Sequence, residues 1–248
     1  MTTGGVRNVD RPIARRLLDR MFVTGEIVEI EQVTPRMRRI KLAGEALADL
    51  AWVPGQHVRV LIGSGGLLGG VLRTYSVWRY DPSWEAVDLV GFDHGGQAPG
   101  ATWVRNARVG EEVSFTRPDG GFVVRREAPY HLFAGEETAS VAFGAMLRGL
   151  PLEAAVFGVV EADGPEDHLP LPRRLERVCR GGASAERSES LVEAVRKLEL
   201  PDGPGVAYLA GEARTIQAVR AHLVRERGWQ RRDVRTKPFW APGRKGLD

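Results

Sequence analysis

The chain of 248 residues has 35 lysines and arginines, 32 aspartates and glutamates, and 43% hydrophobic residues, which is enough for one large or two ordinary domains with sizeable cores. Its single cysteine, Cys179, excludes an internal disulfide, a Cys-x-x-Cys redox pair and an iron–sulfur cluster held by this chain alone. Neither a membrane span of roughly 20 apolar residues nor a secretory signal is recognisable. We therefore expect a cytoplasmic protein without an integral membrane segment.

The charge is distributed unevenly. From Arg214 to Asp248 there are ten lysines and arginines against three acids, so the basic residues concentrate near the C-terminus. Such a surface suits an anionic ligand, but a solvated helix face explains it equally well. Aromatic residues do not alternate with the basic ones as in a single-strand-binding protein, so no nucleic acid partner is predicted.

The first half of the chain reads as a short helical segment followed by strands. Residues 1–21 form the predicted helical segment, with Asp10 as its N-cap and apolar residues at helical spacing. Six β-rich runs follow between Phe22 and Arg117, and their short turns favour an antiparallel sheet closed as a barrel. The glycine-rich run 63–70 matches neither common phosphate-loop pattern and is predicted to be a flexible hairpin.

The second half changes character near Pro129. Apolar strands alternate with helical patterns from there on, which is typical of a parallel α/β sheet. The strands are predicted at 130–134, 153–160 and 206–210, and the helices at 138–147, 185–199 and 214–227. Ligands bind beyond the carboxyl ends of such strands, here at the turns 135–138 and 211–213. The predicted domains are therefore residues 1–21 as the helical segment, 22–128 as the barrel domain and 129–248 as the α/β domain.

One short motif on the fourth strand indicates a cofactor. Arg73-Thr74-Tyr75-Ser76 follows the RxY[ST] pattern with which ferredoxin-reductase-like flavoproteins hold FAD. A guanidinium suits pyrophosphate, a phenol ring suits the flavin or its ribityl chain, and a hydroxyl suits a flavin nitrogen. Four residues alone also fit an ordinary strand with a cross-strand tyrosine. About twenty residues later, a small-residue loop, 94–102, opens a helix whose free N–H groups could hold phosphate.

The order of these and later motifs resembles the siderophore-interacting protein family, the FAD-dependent ferric-siderophore reductases. The resemblance covers roughly residues 20 to 246 and rests on the RTYS motif, the loop APGATW, the turns GEET and AGEA, and the C-terminal FWAPG. It implies a six-stranded FAD-binding barrel followed by a nicotinamide-binding α/β domain. It also implies reduction of siderophore-bound Fe(III) to Fe(II), which siderophores hold poorly. The chemistry would be flavin-borne, without a catalytic side chain and without a resident metal.

The resemblance assigns the following residues to cofactor binding. The FAD contacts are Arg73, Tyr75, Ser76, His94, Ala98, Pro99, Gly100, Ala101 and Thr102. The residues near the nicotinamide and the flavin edge are Gly135, Glu137, Thr138, Gly211, Glu212 and Trp240. Simpler roles stay open: His94 as a loop histidine with a local hydrogen bond, Glu137 and Glu212 as acids favoured at helix starts, and Trp240 as a core residue. NADPH and NADH are both compatible as electron donor, and a ferredoxin could replace them.

For the substrate, the resemblance points to a ferric siderophore, and the basic residues Lys237, Arg244 and Lys245 are predicted to seat an anionic one. Solubility is the alternative role for each. The sequence departs from the family in lacking the expected serine in the loop 98–103, in Phe239 standing for tyrosine, and in Trp78 standing where arginine is frequent. These departures bear on substrate identity more than on FAD binding.

Three other functions remain compatible with the sequence. A ferredoxin or flavodoxin reductase would keep the fold and dock a protein partner on its basic segment. A non-enzymatic siderophore-binding protein would hold FAD weakly or not at all. A biosynthetic flavoprotein would act on an organic substrate instead of a ferric chelate. The oligomeric state is not predicted.

Overall fold

The computed structural model describes residues 21–63 and 69–244. The predicted helical segment 1–21, except Met21, therefore lies outside the described residues, as do Lys245 and the centre of the glycine-rich run.

The first half of the described chain forms a closed antiparallel barrel, as the sequence predicts. Its six strands are β1 Phe22–Thr34, β2 Met37–Ala43, β3 His57–Ile62, β4 Val71–Asp81, β5 Ala86–Phe92 and β6 Glu112–Thr116, in the order β1-β2-β5-β4-β3-β6. Alternate residues at the start of β1, among them Val23 and Ile27, are buried, since successive side chains of a strand point to opposite faces. They pack with Leu42, Val60 and Phe115 in the barrel interior. One helix, α1 Pro99–Asn106, lies between β5 and β6.

The second half forms a five-stranded parallel sheet with helices on both faces. Its strands are β7 Tyr130–Glu136, β8 Ala155–Ala162, β9 Glu176–Cys179, β10 Val206–Glu212 and β11 Val234–Trp240, and its helices are α2 Ala139–Arg148, α3 Glu189–Lys197 and α4 Ala213–Ala221. The strand order is β11-β10-β7-β8-β9. The carboxyl ends of β7 and β10 are therefore adjacent at the point where the strand order reverses, which is where ligands bind in such sheets. Among the described residues, no helix is long and apolar enough to cross a lipid bilayer.

The two edge strands of this sheet are absent from the sequence prediction. β9 has only four residues, two of them charged, and β11 contains Pro238 between polar residues. Proline lacks an N–H and is tolerated mainly at sheet edges. Pro238 therefore explains both why the sequence pattern did not predict β11 and why this strand lies at the edge of the sheet. The predicted helix 214–227 likewise divides into α4 and a π-helical turn, His222–Glu226. The predicted domain limits themselves stay a prediction.

The two halves pack against each other through α2. Met37 and Val90 of the barrel contact Val141 of α2 in one buried cluster. Beside it, the indole of Trp78 on β4 lies against Gly144 of α2, and the guanidinium carbon of Arg148 lies 3.9 Å from the centroid of that ring. A Cβ on Gly144 would come within 2.1 Å of the Trp78 ring. Trp78, which departs from the family pattern, thus forms part of the contact between the two halves.

We expect Gly144→Ala to lower the free energy of unfolding by about 1–3 kcal/mol, because the added methyl group overpacks this contact. Urea denaturation measures the effect. Gly121→Ala is the matched control, since a Cβ at that glycine would have no atom within 4 Å apart from those of Gly121 itself and its two neighbours in the chain. Trp78→Leu in the Gly144→Ala background should recover part of the loss. A Gly144→Ala protein as stable as the control would contradict the overpacked contact.

Candidate functional site

The RTYS motif lies on β4 and faces its neighbour β3. Arg73, Tyr75 and Ser76 are opposite Val60, Val58 and His57, respectively. The Arg73 guanidinium donates to its neighbour's carbonyl, Leu72 O, at 2.7 Å. Within the part of the chain that the structure describes, no carboxylate forms an ion pair with Arg73. Most of its donors are therefore available to an anion.

Tyr75 joins this motif to the loop that precedes α1. Its hydroxyl donates to Gly100 O at 3.1 Å, across 25 residues of sequence, and its ring centroid lies 5.1 Å from that of Trp103. Burial raises the pKa of Tyr75 well above its usual value, so the phenol stays a neutral donor. A Cβ on Gly100 would lie 3.1 Å from the Tyr75 hydroxyl and 3.6 Å from Arg73 Cγ. The small residue thus lets the loop approach the motif closely.

The start of α1 offers unpaired hydrogen-bond donors. Its N-cap, Ala98, has no side chain that could accept from the first turn, Pro99 lacks an N–H, and Thr102 N donates to Ala98 O. The N–H groups of Gly100 and Ala101 therefore have no acceptor inside the helix. Thr102 Oγ1 is buried and, among the described residues, has no hydrogen-bond partner. The arrangement fits a phosphate group, which supplies several acceptor oxygens and is favoured at a helix N-terminus.

His94 lies in the loop between β5 and α1. Its Nδ1 accepts from Gly96 N at 3.3 Å, which is the local hydrogen bond expected of a loop histidine. The ion pair of Asp93 with Arg105, with two contacts of 2.6 and 2.7 Å, ties the same loop to α1. The hydrogen bond from Arg105 is the main cause that lowers the pKa of Asp93 to about 2. Contact of His94 with a cofactor stays a prediction.

A second group of predicted residues meets at the carboxyl ends of β7 and β10. Its centre is Glu136, the last residue of β7, which is buried. The Glu136 carboxylate accepts from Thr138 N at 2.8 Å, from the Thr138 hydroxyl, and from Trp240 Nε1 at 3.0 Å. A Cβ on Gly211 would lie 2.6 Å from Glu136 Oε1. Thr138, Gly211 and Trp240 are therefore brought together by a residue that the sequence analysis did not select.

The acid that the sequence analysis did select, Glu137, is held in an ion network. It pairs with Arg180 through both carboxylate oxygens and with Arg36 at 3.2 Å, and it is buried. Glu212 has the helix-start role: its Oε2 accepts from Thr215 N at 2.8 Å in the first turn of α4. Gly135 is required by packing, since a Cβ there would lie 2.2 Å from Ala210 O.

The buried carboxyl of Glu136 should make the stability of the fold depend on pH. Burial, followed by the neighbouring Glu137, raises the pKa of Glu136 from its ordinary value of 4.5 to about 7. Between these values the folded chain holds a proton that the unfolded chain has lost, so stability falls as pH rises through this range. We expect this contribution to reach at least about 1 kcal/mol by pH 8.

Glu136→Gln should remove that contribution. Chemical denaturation from pH 4.5 to 8 should then give a flatter dependence of stability on pH than in the unsubstituted protein. Glu111→Gln is the control, because that side chain is exposed and follows a turn at the surface. Parallel pH profiles for the Glu136→Gln and unsubstituted proteins would show that Glu136 does not titrate in this range.

Of the three basic residues predicted to bind substrate, the two that the structure describes, Lys237 and Arg244, lie on different faces of the sheet. Lys237 lies within β11, opposite Ala210 of β10, and shares a strand face with Phe239, which packs on the cluster around Phe143 of α2. Arg244 instead lines a cleft beside α3 and α4.

The closed six-stranded barrel followed by the five-stranded parallel sheet is the fold of the ferredoxin-reductase-like FAD/NAD-binding proteins. The same fold occurs in the FAD/NAD-binding domain of nitric oxide dioxygenase from Vibrio cholerae, with a TM-score of 0.72, 18% identity, and coverage of 88% of this chain and 98% of that one. The chain belongs more narrowly to the siderophore-interacting protein family. The family model "Siderophore-interacting protein" matches residues 128–243, and "Siderophore-interacting FAD-binding domain" matches residues 68–122.

Two relatives illustrate the family. The chain is similar to the ferric vibriobactin reductase ViuB of Vibrio cholerae, with 25% identity over 244 residues that cover 88% of this chain and 89% of the relative. It is also similar to the crystal structure of a siderophore utilization protein from T. fusca, with 24% identity, a TM-score of 0.80, and coverage of 92% and 95%.

Proposed function

We propose that the protein is an FAD-dependent ferric-siderophore reductase that takes electrons from NADPH or NADH. The observation that carries the proposal is the group of free donors beside Tyr75: the Arg73 guanidinium, the first N–H groups of α1 and the buried Thr102 hydroxyl. Membership of the siderophore-interacting family and the similarity to a ferric vibriobactin reductase support the choice of substrate.

The residues around β4 fit FAD. Arg73 and the N–H groups of Gly100 and Ala101 would hold its diphosphate, because a guanidinium and a helix N-terminus both favour a doubly charged anion. Tyr75 would lie along the flavin or its ribityl chain, with Ser76 beside it as a hydroxyl donor. Bound FAD supplies the chemistry that no side chain here offers, namely acceptance of a hydride and delivery of single electrons.

The carboxyl ends of β7 and β10 would receive the nicotinamide. Gly135 and Gly211 let these strand ends pack closely around Ala210 and Glu136, and the Thr138 hydroxyl, which donates to Glu136, can still accept a hydrogen bond at the start of α2. Glu136 holds the Trp240 indole through its Nε1, so that this ring has a defined orientation at the edge of the site. The chain's contribution is thus to bind, orient and shield the reactants, which needs no general acid or base.

The substrate would be the ferric iron of a siderophore, reduced to ferrous iron one electron at a time. Each hydride carries two electrons, so one nicotinamide should yield two Fe(II). We assign a substrate contact to Lys237, which has no ion-pair partner among the described residues and lies on the α2 side of β11. Attraction between this ammonium group and an anionic chelate would raise its local concentration.

Lys237→Ala should therefore raise the half-saturating concentration of an anionic ferric siderophore by about 3- to 5-fold, as expected for one partly exposed charge. The flavin spectrum should not change. Steady-state kinetics at low and high salt measure this, and the difference should shrink as salt increases. Arg231→Ala, an exposed cation of the same basic segment, is the control. Equal kinetics for the two variants would return Lys237 to a solubility role.

An anaerobic absorbance experiment tests the proposed function. The purified protein loaded with FAD is mixed with NADPH or NADH until the oxidised flavin absorbance disappears, and a ferric siderophore is then added with an Fe(II)-trapping dye. Return of the flavin absorbance together with the coloured Fe(II) complex supports the reductase. Flavin that is reduced but ignores ferric siderophores contradicts it and favours a ferredoxin-type or biosynthetic flavoprotein. A protein that binds ferric siderophore but no FAD would be a carrier.

A further inference from the structure

A cleft of about 880 Å³ lies outside the FAD and Glu136 sites, between the N-terminal parts of α3 and α4 and the segment after β11. Its volume is in the range of pockets that bind small molecules. It lies on the sheet face covered by α3 and α4, at the end where β10 leads into α4. This is the edge at which parallel α/β sheets bind their ligands.

The cleft is basic. Its lining includes four arginines, Arg187, Arg196, Arg214 and Arg244, and two acids, Glu189 and Glu193. Two of the arginines are already paired, Arg214 with Glu186 and Arg196 with Glu193 and Glu226. Within residues 21–63 and 69–244, no carboxylate forms an ion pair with the other two. Arg187 and Arg244 are therefore free to bind an anion.

Arg187 is held in an unusual conformation at the mouth of this cleft. Its φ of 55° lies in the left-handed region, which residues other than glycine rarely adopt. Its N–H faces Glu212 Oε2 at 3.4 Å, and the next residue, Ser188, caps α3 through its hydroxyl. The backbone on both sides of Arg187 is thus anchored, which fixes the point and the direction from which its side chain leaves the chain.

We propose that this cleft binds the 2′-phosphate-bearing adenosine of NADPH, an inference that rests on the proposed nicotinamide-dependent function. A phosphate monoester carries nearly two charges and matches the fork of a guanidinium, which makes Arg187 and Arg244 its partners. Val192, Ala218 and Pro242 supply apolar surface for the base. The Glu189 carboxylate would favour the ribose hydroxyls of NADH. The two unpaired arginines, Arg187 and Arg244, outweigh this single negative charge and favour a phosphate. The protein therefore prefers NADPH to NADH.

Calorimetric titration of the FAD-loaded protein tests the cleft without electron transfer. The probes are 2′,5′-ADP, 5′-ADP and inorganic phosphate. We expect 2′,5′-ADP to bind at least about 10-fold more tightly than 5′-ADP. Arg187→Ala and Arg244→Ala should each weaken 2′,5′-ADP binding by about 10-fold and leave 5′-ADP binding within about 2-fold. Arg225→Ala, on the exposed turn after α4 and outside the cleft, should change neither.

Equal affinities for the two nucleotides would overturn the proposal, as would variants that weaken both nucleotides equally. Inorganic phosphate binding as tightly as 2′,5′-ADP would also overturn it, because the adenosine would then contribute nothing. The result is separable from the proposed function. A 2′-phosphate preference without iron reduction rejects the reductase and retains the cleft, whereas iron reduction at equal efficiency with NADH and NADPH rejects the cleft alone.

Discussion

Replacing Arg180 by methionine should lower the free energy of unfolding by about 3–5 kcal/mol, because it leaves a buried carboxylate without its cation. The Arg180 side chain is 8% exposed, and its partners Glu137 and Glu161 are 2% and 0% exposed. Urea denaturation at neutral pH measures the loss.

Two further variants make this result interpretable. Arg177→Met removes an exposed arginine from β9, the strand that ends immediately before Arg180, and should change stability by no more than about 0.5 kcal/mol. Glu161→Gln in the Arg180→Met background should recover part of the loss, because Arg180 is the ion-pair partner of Glu161 within the described residues, whereas Glu137 keeps Arg36. An Arg180→Met protein that unfolds at the same urea concentration as Arg177→Met would show that the ion network does not stabilise the fold.

The same network connects the two halves of the molecule. Arg36, in the turn between β1 and β2, reaches Glu137 after β7 and Asp167 beyond β8, each at 3.2 Å. It therefore fixes the barrel relative to the carboxyl edge of the parallel sheet. That relation matters because the FAD residues belong to the barrel and the proposed nicotinamide residues belong to the sheet. The resemblance predicts that Glu137 contacts the cofactor. The structure shows that this buried carboxylate also has a structural role, because it pairs with Arg36 and Arg180.

The strands that carry a strong local pattern could be predicted from the sequence. The first part of β1 alternates buried and exposed residues, and β7 and β10 are mostly apolar and buried throughout because they are central in a parallel sheet. β9 and β11 are edge strands with charged residues or proline, so their pairing depends on neighbours rather than on their own sequence. Edge strands are for this reason the hardest to predict from the hydrophobic pattern of the sequence.

The candidate site shows the same limit. Arg73, Tyr75 and the loop before α1 could be found because each carries a chemical signature at a recognisable spacing. Glu136 could not be separated from Glu137, since adjacent acids at a strand end look alike until the fold turns one toward Trp240 and the other toward Arg36 and Arg180. Contacts between residues more than 100 positions apart leave no local trace in a single sequence.

Arg73→Ala should weaken FAD binding by about 10- to 100-fold, which corresponds to the roughly 1.5–3 kcal/mol of a charge-assisted hydrogen bond. The purified variant should lose its yellow colour on gel filtration, and titration with FAD followed by flavin fluorescence gives the dissociation constant. Arg79→Ala is the matched control, because this exposed arginine lies on the same strand, β4, outside the RTYS motif.

Arg73→Lys separates charge from geometry in this prediction. Lysine keeps the positive charge but loses the two-pronged contact that a guanidinium makes with a diphosphate, so its affinity for FAD should lie between those of Arg73→Ala and the unsubstituted protein. The apoproteins of all variants should unfold alike, since within the described chain the Arg73 side chain donates only to the carbonyl of Leu72. Stoichiometric FAD in purified Arg73→Ala would remove this residue from the cofactor site and leave the N-terminus of α1 as the diphosphate contact.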